Sequence, residues 1–240
     1  MSDVAINSGV GICGKIPTRG DFLSQGLPLG FLESWNEWLQ AVLAVSREQL
    51  GNAWLDRYLT SPIWHFALSS RVCGDSAMAG TFIPSVDQVG RHFPFAMVKE
   101  VAQTPVQMWA NQAWSDVLEP WILASLEDDF YLESWFEMLK KEDLPWPDAS
   151  AMTASVARSE RSVRGQIIES AKEEDLTPLG LLHQSYCDQF GRYCLWWTQG
   201  SEEVAPCLVV TDGLPQVSQF SAMLDGNWDQ WGWQRKQIIC

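Results

Sequence analysis

Apolar residues in this chain fall into short runs broken by glycine and proline, and into longer stretches with helical period. Residues 10–16 (VGICGKI) are apolar and glycine-spaced, which predicts a short strand. Over residues 30–50, Phe31, Trp35, Trp38, Leu39, Val42 and Leu43 recur at helical spacing. Glu33, Asn36, Glu37 and Gln40 take the other face, so a helix that buries a Trp/Leu stripe is expected. Residues 62–68 (PIWHFAL), 78–83 (MAGTFI) and 94–101 (PFAMVKEV) read as strands bounded by turn residues. Their close spacing favours hairpins or a meander. A helical region spans 105–142, with Met108, Trp109, Trp114, Leu118, Leu123, Leu126, Trp135, Phe136 and Leu139 as its apolar stripe. Pro120 is expected to end one helix within it, because proline lacks an N–H and clashes with the preceding turn.

Residues 143–150 read as a loop, and 157–175 mix both charge signs densely, as in a solvated helix face or a mobile segment. Leu179, Leu181, Leu182 and Tyr186 suggest a short helix, followed by strands at 193–198 (YCLWWT) and 206–211 (PCLVVT). Residues 215–224 read as another short helix. The last segment carries Trp228, Trp231 and Trp233, which either cap the core or form an aromatic contact surface. Strands near both ends, with helices between, imply one sheet built from both halves. The expectation is a single α/β domain over residues 1–240 with helices on the sheet faces.

Composition narrows the function. Apolar residues are 46% of the chain and charged residues 19%, ordinary for a globular protein. The 14 tryptophans are expected mostly in the core, since an indole buries a large apolar area and needs only one hydrogen-bond partner. A formal net charge of −14 excludes a broad nucleic-acid or anionic-membrane surface, because phosphate binding needs clustered Lys and Arg. The first residues, MSDVAINSG, lack the basic and apolar regions of an export signal, and no apolar run is long enough to span a membrane. The chain therefore reads as cytoplasmic. Its six cysteines form no C-x-x-C pair, none has a histidine nearby in sequence, and no Cys/His spacing fits zinc, so free thiols are expected.

Several motifs carry candidate chemistry. Residues 9–14 (GVGICG) spell a dinucleotide fingerprint, and 9–15 match the start of a phosphate-binding loop ending in Lys15. Polar residues precede the first glycine, Pro17 and Gly20 interrupt any following helix, and Ile16 stands where a magnesium-binding Ser or Thr is needed. A Gly-rich strand and turn is the plainer reading. Arg19, Gly20, Asp21 and Phe22 form a charged turn, in which Asp21 suits Arg91 or Arg19 as an ion-pair partner. In PSVDQVGRHFPF (84–95), Asp87 and Arg91 are four apart and His92 follows. Asp21, Asp87, Arg91, His92 and His65 could converge for acid–base or metal chemistry. With three histidines, no H-x-x-x-H pair and no G-x-S-x-G elbow, no catalytic, metal or cofactor set is expected.

At these residues the chain resembles the TagF family of type VI secretion-associated proteins. GKIPTRGDF (14–22) is similar to that family's GKLPxRGDF, Trp35 and Trp38-Leu39 to its WDxWL, YLTSPIWHFAL (58–68) to its YLxSPxWRFxL, and PSVDQVGRHFPF to its PSVDxVGRxFPL. Cys73 follows the third motif, as it often does in that family. The likeness is strong over residues 10–100 and weaker over 105–240, where LWWTQG (195–200), Leu214-Pro215, Phe220 and Met223-Leu224 carry it. Ile16, Asn36, His65 and Gln88 depart from the usual leucine, aspartate, arginine and arginine.

The resemblance implies a three-layer α/β/α fold with a mixed or largely antiparallel sheet. It also implies a cytosolic accessory factor that holds assembly of the secretion apparatus back after translation, through the forkhead-associated scaffold protein Fha. Some relatives carry a PP2C-type phosphatase; none is visible here, so that activity is not expected. Lys15, Arg19, Asp21, Asp87, Arg91 and His92 are the candidate loop-organising or partner-binding residues. The alternative is a small-ligand or nucleotide-binding enzyme that uses the 9–15 loop and the Asp21, Asp87, Arg91 and His92 cluster.

Overall fold

A computed structural model describes residues 9–147 and 177–236. The charged stretch 157–175, the end of the 143–150 loop and Cys240 lie outside the described residues.

Among the described residues, seven strands make one sheet in the order β2-β1-β5-β4-β3-β6-β7, and each neighbouring pair is antiparallel. Strands β3 (Trp64–Leu68), β4 (Ala77–Ile83) and β5 (Phe95–Val101) form a meander, as their short connections require. Strand β1 (Gly11–Gly14) pairs with β5 on one side and with the short β2 (Leu23–Gln25) on the other. From the C-terminal half, β6 (Cys194–Thr198) joins β3 and β7 (Cys207–Thr211) closes that side. The expected antiparallel three-layer arrangement is what forms.

Side chains that alternate along each strand feed two cores. On β3, Trp64, Phe66 and Leu68 face the core under α1 (Leu29–Leu50) and α2 (Trp54–Leu59), while Ala67 belongs to the opposite core. Residue Trp35 of α1 stacks on Phe66 at 4.7 Å and meets Phe82 edge-on at 5.8 Å. The opposite core lies under α3 (Pro105–Ala110), α4 (Ala113–Ala124), α5 (Leu132–Leu139) and α6 (Pro178–Phe190). Buried indoles are mostly satisfied by distant backbone: Trp38 Nε1 donates to Pro215 O at 2.8 Å and Trp64 Nε1 to Met223 O at 3.2 Å. Among the described residues, the Nε1 atoms of Trp35 and Trp197 are buried without a partner, so ring packing holds those two sites.

Two of the C-terminal tryptophans, Trp228 and Trp233, pack against the first core. Trp228 meets Trp64 edge-on, Trp231 Nε1 donates to Asp225 Oδ2 at 2.9 Å, and Trp233 Nε1 donates to Gln219 O at 2.9 Å.

Three local features differ from the sequence reading. Pro120 lies inside α4 rather than ending a helix. A mid-helix proline costs about 3 kcal/mol, but α4 buries Trp114, Leu118 and Ile122 on both sides of it, each contributing about 1.5–3 kcal/mol. The short α2 and the three-residue β2 have too few residues to show a period, so no pattern announces them.

Candidate functional site

Two loops meet at one end of the sheet. The first leaves β1 at Gly14 and returns through Arg19, whose N–H donates to Ile16 O at 3.2 Å. The second links β4 to β5 and folds into a miniature hairpin: Val86 bridges His92, Phe93 N donates to Ser85 O at 3.0 Å, and Asp87 N donates to Arg91 O at 3.0 Å. Gly90 adopts a φ of 81°, a left-handed turn that glycine takes without strain.

Asp87 organises both loops. Its side chain is fully buried. Its Oδ1 accepts from Val89 N at 3.1 Å and Arg91 N at 2.8 Å; its Oδ2 accepts from Lys15 Nζ at 2.5 Å and Arg91 Nε at 2.6 Å. Burial pushes its pKa up, but the Lys15 and Arg91 side chains and the two amides outweigh burial and hold it well below the usual carboxylate range. Further bonds stitch the loops directly. Gln88 N donates to Arg19 O at 3.0 Å, Arg91 Nη2 donates to Gly20 O at 2.6 Å, and Phe22 meets Phe93 edge-on at 4.9 Å.

Helices brace the loops from both faces of the sheet. Arg19 pairs with Glu133 on α5. The Tyr58 hydroxyl on α2 donates to Ser85 O at 2.8 Å and accepts from Ser85 N at 3.0 Å. His92 sits edge-on to Trp54 and Tyr58, at 5.4 Å and 5.6 Å. Its pKa is lowered by burial and by the Arg47 charge, against the opposing pull of Asp87. Tyr58→Phe leaves the buried Ser85 N without its acceptor, while Ser85 O keeps the Phe93 N–H, so chemical unfolding should show a loss of about 1–3 kcal/mol. A wild-type midpoint would refute that bracing role.

Of the expected residues, Lys15, Arg19, Asp87, Arg91 and His92 converge here. Asp21 does not pair as expected. Arg91 is taken by Asp87 and Arg19 by Glu133, and Asp21 is exposed, with no ion pair among the described residues. The physical reason is burial: a carboxylate out of water needs cations, whereas an exposed one is solvated. His65 also lies apart, on the other face of the sheet from His92, bonded to Thr81 Oγ1 at 2.8 Å and Glu119 Oε1 at 3.0 Å and flanked by Trp114 and Trp197. Sequence reading did not single out Tyr58, Ser85 or Glu133 as site residues; Tyr58 and Ser85 lie inside the motifs at 58–68 and 84–95, whereas no local pattern marks Glu133.

This arrangement holds loops rather than moving protons. Asp87, ionised and bonded on both oxygens, is a poor general base. Lys15 Nζ is engaged by Asp87, and β1 turns into β2 instead of opening a helix, so the phosphate-cradling context is missing. The glycines of β1 have a packing cause: a Cβ on Gly11 would lie 2.6 Å from the Leu27 side chain, and one on Gly14 would lie 2.0 Å from Pro94 O.

One cysteine does have a histidine near it, contrary to the sequence reading. Cys187 Sγ lies 3.8 Å from His183 Nε2, one turn away on α6. Burial and the Asp188 charge raise the thiol's pKa, and burial lowers that of His183, so the pair stays neutral and is not an activated nucleophile. Among the described residues no group of three or more His, Cys, Asp or Glu could hold a metal ion, and no helix is long and apolar enough to cross a membrane.

Comparison with known proteins gives two matches of weight. The profile of the TagF N-terminal domain, type VI secretion system-associated, matches residues 11–141, which contain both loops. The crystal structure of PA0076 from Pseudomonas aeruginosa PAO1 superposes with a TM-score of 0.74 at 31% sequence identity, covering 97% of each chain. None of the curated proteins matches.

Proposed function

We propose a regulatory binding role on one premise: the chain belongs to the TagF family of type VI secretion system-associated proteins. It acts in the cytoplasm without catalysis, contacts the Fha scaffold, and through that contact holds assembly of the apparatus back after translation. It binds no nucleic acid and does not insert in a membrane. Residues 1–240 act as one TagF-like unit. In support, β6 and β7 lie beyond the matched residues and still hydrogen-bond into the same sheet.

The stitched pair of loops carries this reading. Lys15, Asp87 and His92 hold it from within, while Arg19, Asp21, Val89 and Arg91 face outward, Val89 being 70% exposed. Arginine is enriched at binding hot spots, and two arginines, Arg19 and Arg91, are exposed on these loops. The test is retention of the Fha scaffold by the tagged chain, beside an Asp21→Ala/Arg91→Ala variant whose circular dichroism matches wild type. Wild type should retain the scaffold and the variant should lose at least about tenfold in affinity, or about 1.4 kcal/mol. Equal retention removes the loops as the contact site, and no retention by wild type removes the scaffold as partner.

A further inference from the structure

Among the described residues the strand order leaves two edges, β2 and β7. The first is three residues long, with Ser24 and Gln25 exposed. The second is different. Its sequence, CLVVT, contains no charge, proline or glycine, and it pairs with β6 in unbroken register from Cys194↔Thr211 to Thr198↔Cys207. Strand β6 is buried throughout, whereas Cys207, Leu208 and Val210 are only half-buried. Edge strands are commonly protected by charge, proline, bulges or shortness. Strand β7 carries no such device along its length, so its outward N–H and C=O groups form a template for another strand.

We propose that β7 pairs antiparallel with β7 of a second copy of this chain, joining two seven-stranded sheets across a two-fold axis. Pairing centred on Val209 is self-complementary. It sets Leu208 against Val210 of the partner subunit, Cys207 against Thr211 of the partner subunit, and Pro206 against Asp212 of the partner subunit. No like charges oppose in this register, which matters for a chain of net charge −14. Sliding the register toward the C-terminal side brings the two Asp212 residues together, and that repulsion disfavours slippage. A two-fold contact of this kind closes at two copies. Strands β3 and β6 separate β7 from the loop-bearing strands, so the dimer keeps two loop surfaces free, and the inference stands independently of what they bind. Because each copy is strongly acidic, added salt should screen the long-range repulsion and tighten the dimer.

Sedimentation equilibrium on the full chain, up to about 100 µM and at low and high salt, reads the mass. Hydrogen exchange over 207–211 reads the edge. We expect the mass to double with concentration, a lower dissociation constant at high salt, and roughly tenfold slower exchange of outward β7 amides in the dimer. Val210→Lys should restore the single-chain mass. If that variant does not fold, Cys207→Lys at the half-exposed end of the strand serves instead. A single-chain mass at the highest concentration and salt overturns the proposal, and so does a dimer whose 207–211 amides exchange at the monomer rate.

Discussion

Asp87→Asn lowers the melting temperature by about 10 °C at pH 7 and loosens both loops. This carboxylate is buried, and two cations and two amides converge on it. Asparagine keeps the shape but removes the charge, leaving Lys15 with only 12% of its side chain exposed and no counter-ion. An orphaned buried charge is among the most damaging single changes. The pH dependence gives a second reading of the same site. Folding depresses the Asp87 pKa, since burial, which raises it, is outweighed by the Lys15 and Arg91 bonds and the two amides. A carboxyl depressed on folding lends stability that is complete above its unfolded value and drains away as pH falls through the folded one. The wild type should therefore lose stability below about pH 5, and the variant should lose less over the same window because asparagine does not titrate. Thermal melts of both proteins at pH 7 and in mild acid measure this difference. Equal melting temperatures at pH 7 would refute the organising role of Asp87.

Gly14→Ala should destabilise by about 3 kcal/mol or more, through two additive causes. Gly14 has a φ of 118°, where a side chain is strained, and a Cβ there would lie 2.0 Å from Pro94 O and 2.8 Å from Phe95 Cα. Both contacts are backbone atoms at the start of β5, so no flexible side chain can yield. Relief requires β1 to move away from the start of β5, and Lys15, the next residue, moves with it away from Asp87. Gly9→Ala is the control, since a Cβ there meets nothing within 4 Å. Urea unfolding of the two variants should give a lowered midpoint for Gly14→Ala and a near wild-type one for Gly9→Ala. Equal midpoints would show that the glycine spacing has some cause other than close approach.

The stripe Phe31, Trp35, Trp38, Leu39 and Val42 was legible because a helix repeats its face every three or four residues, and it is buried as expected. The strands at 62–68, 78–83 and 94–101 were legible from turn residues and apolar runs. The loop residues were legible as a motif but not as a network. Asp21 and Asp87 are chemically alike, and only the packing of the second loop against β1 buries one and leaves the other in water. Glu133 meets Arg19 across 114 residues of chain, a contact no local pattern encodes.

The sequence by itself determined the longer local elements, the glycine and charge motifs of the two loops, and the family, because periodicity and motif are properties of neighbouring residues. Tertiary structure decided the strand order, the passage of α4 through Pro120, the choice of Asp87 over Asp21 as the buried anchor, and the bare edge at β7. Each of those depends on which surfaces meet and exclude water. A buried carboxylate demands cations, a buried helix face outweighs one lost hydrogen bond, and a last strand has an open side only once the others are placed.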